Sequence, residues 1–167
     1  MDKINEDFFE TFNYVGRFYA AWATFDTLIE LSIAKTLELD LEHANLLLHG
    51  LSFSRKVSIL KSALTLKGNK NSIELINDIV QDAKRNAIAH GQLDYTNENE
   101  VVFRYRNSQD KYTEKNYSFD KDEMKVHYKE LLLQSKELQD ELGISDDMWF
   151  EYEAASISLA AKSVKSP

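Results

Sequence analysis

Apolar positions near the start of the chain recur every three or four residues: Phe8, Phe12, Val15, Tyr19, Trp22, Ile29 and Ile33, with polar Asp26 the one interruption. That spacing lays one stripe along a helix, predicted over about 7–39. Phe9, Phe18, Phe25 and Leu28 widen the stripe, so this helix must be covered on more than one side, by its own bundle or by a partner chain. A short helix follows over about 41–49, with Gly50 placed to end it in the left-handed conformation. Ser52 or Ser54 can cap a third helix carrying Val57, Leu60 and Leu64, which closes at Lys67-Gly68-Asn69-Lys70. Asn71-Ser72-Ile73-Glu74 reads as a capping box for a fourth helix. Its apolar positions Ile76, Ile79, Val80, Ala83, Ala87 and Ile88 carry it without interruption to His90-Gly91.

The period then changes from helical to alternating. Val101 to Arg106 and Tyr112 to Phe119 are rich in β-branched and aromatic residues, and Asn107-Ser108-Gln109-Asp110 between them has a turn composition. Leu93-Asp94-Tyr95 adds a third short strand. Helical spacing returns at Asp120-Lys121-Asp122-Glu123, a second capping box, and Met124, Tyr128, Leu131, Leu132 and Leu138 continue it as far as Gly143. Ser145 caps a last helix with Trp149, Phe150, Tyr152, Ile157 and Leu159, and the tail from Lys162 is expected to fray. The expectation is a single all-α domain over residues 1–167: a helical bundle with a small β-hairpin insertion at about 93–119.

Composition narrows the chemistry. The chain of 167 residues has one Pro, five Gly and no Cys, so it has no disulfide framework, thiolate metal site or cysteine nucleophile. No run approaches the roughly 18 apolar residues of a membrane span, and the acidic start Met1-Asp2-Lys3-Ile4-Asn5-Glu6-Asp7 lacks the basic opening of a signal peptide. A cytoplasmic, membrane-free protein is expected. The net charge of −8 opposes general nucleic-acid binding. It is unevenly spread: residues 1–50 carry −6, residues 51–91 carry +4 and residues 92–167 carry −6. Fluctuation over short windows accounts for such a pattern equally well.

The basic block contains Arg85-Asn86-Ala87-Ile88-Ala89-His90-Gly91. Its Arg and His are the one pair in the chain with His five to seven positions after Arg. Asn86 and His90, four apart, share a helix face. Arg85 lies about 100° round from Asn86 and can swing its long side chain toward that face. This segment resembles the signature of the HEPN superfamily, and the resemblance extends over about residues 15–91 through the aromatic first helix bearing Trp22 and Glu30 and the Ser52-to-Val57 helix start. It implies a HEPN-like bundle, a homodimer with two motif helices facing across a twofold axis, and metal-independent endoribonuclease activity at a composite site. Arg85, Asn86 and His90 would be catalytic. His90 would remove a 2′-hydroxyl proton, Arg85 would stabilise charge on phosphate, and Asn86 would orient His90 or donate to phosphate. The products would be a 2′,3′-cyclic phosphate and a 5′-hydroxyl. Arg55, Lys56 and Lys84 are candidate RNA-binding residues, and neither a metal nor a cofactor is expected. The resemblance further implies a toxin or phage-defence role, with an antitoxin or other regulatory partner.

Blander readings stand beside these. Arg85 can pair with an acid, Asn86 with backbone, and His90 can cap a helix, leaving a non-catalytic HEPN module that binds RNA, a nucleotide or a protein, or a helical scaffold. Asp26 and Glu30, one turn apart, are either an exposed pair or a buried acid for Arg85 or for His90 of the partner subunit. His43, His49 and His127 lack metal-ligand spacing and are expected at the surface or at helix ends. Arg104, Tyr105 and Arg106 with Tyr112 and Tyr117 either stack bases or pack across the hairpin.

Overall fold

The computed structural model describes residues 3–95, 100–107 and 113–163. The chain is mostly helical. In order it forms α1 (Lys3–Thr36), α2 (Leu41–Leu48), α3 (Phe53–Leu66), α4 (Lys70–Asp82), α5 (Arg85–His90), β1 (Gln92–Tyr95), β2 (Val101–Asn107), β3 (Thr113–Phe119), α6 (Lys121–Glu141) and α7 (Asp146–Ser163). The strands make one antiparallel sheet in the order β1-β2-β3, so the expected insertion is present with its third strand. Phe103 stands opposite Leu93 on one side and Tyr117 on the other. The predicted turn at Ser108 to Asp110, Tyr112, the side chains of Phe8 and Arg85 and the end of the tail lie outside the described residues.

The contacts sort the chain into two compact units. One takes in the chain up to Trp22 and the stretch Asp78–Leu133; the other takes in Ala23–Asn77 and the stretch from Gln134. Helices α1, α4 and α6 each contribute a segment to both.

The first unit packs α5 against β2. Its core joins Val15, Phe18 and Trp22 of α1, Ile79 of α4, Ala87 and Ile88 of α5, Val101, Phe103 and Phe119 of the sheet, and Met124 and Leu131 of α6, all buried. The predicted α1 stripe is buried at Val15, Trp22, Ile29 and Ile33, with exceptions toward the start of the helix. Phe18 is fully buried, whereas Tyr19 is 42% and Phe9 65% exposed.

In the second unit every residue from Leu28 to Ala34 of α1 is buried. This stretch is buried within the chain itself, the first of the two covers that its apolar sequence allows. Around it the core holds Leu60 and Leu64 of α3, Ile76 of α4, Leu138 of α6 and Tyr152 of α7. Helices α2 and α7 pack together, and the Asn45 amide donates to the Ser156 hydroxyl between them.

Several chain signals act where the sequence places them. Asp120 and Glu123 form the reciprocal capping box of α6: the Glu123 N–H donates to Asp120 Oδ1 at 2.8 Å and the Asp120 N–H to Glu123 Oε2 at 3.0 Å. The Ser145 hydroxyl accepts from Met148 N–H at 3.3 Å at the start of α7. Gly143 ends α6 at φ 63°, with Ile144 N–H reaching back to Gln139 O at 2.9 Å, a Schellman closure.

Three local expectations are corrected. Among the described glycines only Gly68 and Gly143 have positive φ, so Gly50 is not a left-handed stop; α2 ends at His49 in the right-handed region. The cap of α4 is Asn69, whose Oδ1 accepts from Ser72 N–H at 3.1 Å, in place of Asn71. The predicted fourth helix is also broken. It stops at Asp82, Lys84 adopts a left-handed conformation at φ 46°, ψ 28°, and α5 begins at Arg85. No helix among the described residues is long and apolar enough to cross a membrane.

Candidate functional site

The Arg-Asn-x-x-x-His segment occupies the whole of α5, from Arg85 to His90. The break before it changes the hydrogen-bond partners on both sides. In an uninterrupted helix the Ala83 carbonyl would accept from Ala87 N–H. Instead Ala87 N–H bonds Lys84 O at 2.9 Å, and Ala83 O accepts from the His127 ring Nε2 at 3.0 Å. Left-handed backbone at a non-glycine residue costs roughly 1–2 kcal/mol. The Lys84 ammonium offsets part of that cost by lying 5.5 Å over the Tyr117 ring and 5.9 Å over Phe119.

His127 is therefore not the surface or helix-end residue expected from the sequence. It is half-buried, its ring stacked on Phe18 at 5.1 Å and on Phe119 at 5.2 Å. Burial holds its imidazole below the usual histidine range; the Ala83 carbonyl pulls the other way, and the Lys84 charge adds to the lowering. The sequence does carry a signal for it: Met124, His127 and Leu131 fall at helical spacing on the buried face of α6.

The far end of α5 is fixed as firmly. Gly91 N–H donates to Ala87 O at 2.8 Å, and the Tyr19 hydroxyl donates to Ile88 O at 2.6 Å. Gly91 itself is extended, at φ −71°. It is needed for space: a Cβ there would stand 2.3 Å from Ala87 O and 3.3 Å from both Arg104 O and Phe103 Cβ. Ala87 and Ile88 are buried beneath, while Asn86 and His90 are exposed. Being four apart on one helix, the last two share a face.

The remaining candidates separate. Lys84, exposed, adjoins Arg85 as the residue at which α5 begins. Arg55 and Lys56 belong to the other unit. Arg55 is exposed on α3, at a shallow apolar depression lined by Leu37, Ile59 and Leu66. Lys56 does not fit an RNA-tracking role. It is 3% exposed, and its ammonium sits 2.6 Å from Asp26 Oδ1 and 2.6 Å from Glu30 Oε1. Glu30 is buried too and accepts from the Tyr152 hydroxyl at 2.5 Å. Glu30 is thus buried and Asp26 half-buried, and both carboxylates neutralise Lys56. Burial pulls the Lys56 ammonium down, but its bonds to the Asp26 and Glu30 carboxylates outweigh that and hold it above the usual lysine range. Burial, aided by the Glu30 carboxylate, pushes the Tyr152 phenol up.

On the hairpin, Arg104 pairs with Asp94 at 2.8 Å and Arg106 with Glu114 at 3.1 Å. These are cross-strand pairs. Among the described residues no group of three or more His, Asp and Glu side chains is placed to hold a metal ion. Compared with known proteins, the chain matches no family model, no curated protein and no solved structure.

Proposed function

We propose that this chain is a metal-independent endoribonuclease of the HEPN type, acting as a homodimer with a composite site. One observation carries the reading: a short helix made wholly of the Arg85-to-His90 motif, set off from α4 by a left-handed residue, with Asn86 and His90 exposed on one face. His90 takes the proton from a ribose 2′-hydroxyl, and the freed oxygen attacks the adjacent phosphorus. The 5′-oxygen leaves and takes a proton from His90 of the partner subunit or from water. The products are a 2′,3′-cyclic phosphate and a 5′-hydroxyl. Arg85 stabilises the charge that builds on the phosphate oxygens, and Asn86 orients the imidazole or donates to phosphate. Lys84 and Arg55 are the cations offered to RNA. In the cell such an enzyme would serve as a toxin or phage-defence effector held in check by an antitoxin or other regulatory protein. The net charge of −8 favours one alternative, a non-catalytic module of the same family that binds a protein partner.

The test is cleavage of a labelled RNA in EDTA by wild type, Arg85→Ala and His90→Ala, once all three are shown to fold and associate alike. Each substitution is expected to lower the rate by at least about 100-fold, the low end for loss of a positioned acid–base group. A wild type that cuts no RNA, or variants that cut as well as wild type, would overturn the proposal.

A further inference from the structure

We infer that Tyr19 is a positioning residue for the α5 motif, acting through the Ile88 carbonyl; its role in turnover rests on the nuclease reading above. A six-residue helix is far below the length that sustains itself in water, so the orientation of α5 must come from what it is bonded to. Its last carbonyls have no partner within the helix ladder. Ala87 O is satisfied by Gly91 N–H at 2.8 Å. Ile88 O, two residues before His90, is met at 2.6 Å by the hydroxyl of Tyr19, 69 positions earlier in the chain.

Tyr19 does not act alone. Its ring stands edge-on to Phe18, with centroids 6.3 Å apart and planes at 72°. Phe18 stacks on His127, and the His127 ring N–H holds Ala83 O on the other side of the break. Tyr19, Phe18 and His127 form one continuous brace, bonded to a carbonyl just before α5 and to another within it. The hydroxyl bond fixes the turn that carries His90, so its loss should loosen that turn before anything else. The Tyr19 ring is itself substantially exposed, which means that removing its oxygen alone leaves the core beneath undisturbed.

Tyr19→Phe removes that oxygen and keeps the ring. It is expected to lower kcat by about 10- to 100-fold while KM changes by less than about twofold, the pattern of a misplaced reacting group. Amide hydrogen exchange, read by NMR, should quicken at Ala89, His90 and Gly91 by about fivefold or more and stay unchanged along α1 and α6. Unchanged exchange in α5, or an unchanged kcat in an active enzyme, overturns the inference. Exchange that quickens across the whole first unit also overturns it, since that is the mark of general support. If wild type cleaves no RNA, the nuclease reading falls, and the exchange measurement still decides whether Tyr19 holds α5.

Discussion

Replacing Lys56 with Met tests the buried charge cluster of the second unit most directly. Met keeps much of the lysine's length and removes its charge. Glu30, 7% exposed, would then lose its counter-charge and keep the Tyr152 hydroxyl as its partner among the described residues. Asp26, beside it, would lose the same partner. Removing one member of a buried pair costs about 3–5 kcal/mol, because the other charge stays buried and uncompensated. With a urea dependence of about 2 kcal/mol per molar for a protein of this size, the unfolding midpoint should fall by about 1.5–2.5 M. A second change identifies the cause. Glu30→Gln abolishes the more deeply buried of the two orphan charges and still offers an amide oxygen to Tyr152, so Lys56→Met/Glu30→Gln should be more stable than the sum of the two single changes by at least about 1.5 kcal/mol. A loss below about 1 kcal/mol for Lys56→Met, or additivity in the double variant, would refute the argument that these charges hold one another in the core.

The same cluster predicts a pH dependence. Lys56 and Tyr152 both titrate above their unfolded values, so their contribution is complete below about pH 10 and is lost as pH rises beyond it; urea midpoints at pH 8 and pH 11 measure this, and equal midpoints would contradict it. His127, held low by burial, works at the other end: stability falls as pH drops below about 6.5, where the unfolded chain takes up a proton that the folded chain resists. Gly91→Ala should cost about 1–3 kcal/mol by overpacking, because the new methyl group would meet Ala87 O at 2.3 Å; a melting temperature equal to wild type would show that the chain relaxes there freely.

Much of this architecture follows from local rules. Helical spacing, the switch to alternation between Gln92 and Phe119, the Asp120/Glu123 capping box and the Gly143 stop depend on residues within a few positions of one another. The motif itself is contiguous, so Arg85, Asn86 and His90 stand out in the sequence alone. What the sequence leaves undetermined depends on partners far along the chain. Nothing between Val80 and His90 breaks a helix by residue type, since the stretch has no Gly or Pro; the partner that takes the Ala83 carbonyl at the break is His127, 44 positions later. Lys56 looks like any exposed helix lysine until α1 and α7 bring Asp26, Glu30 and Tyr152 to it. Its burial cannot be read locally, because a charge enters a core only where distant groups neutralise it. Gly91 marks the end of the motif helix in sequence and structure alike, and by sequence its role is the usual one of a helix-ending glycine. The structure gives a different reason: a Cβ there would meet the Ala87 carbonyl of the helix's own last turn at 2.3 Å, with β2 atoms behind it at 3.3 Å.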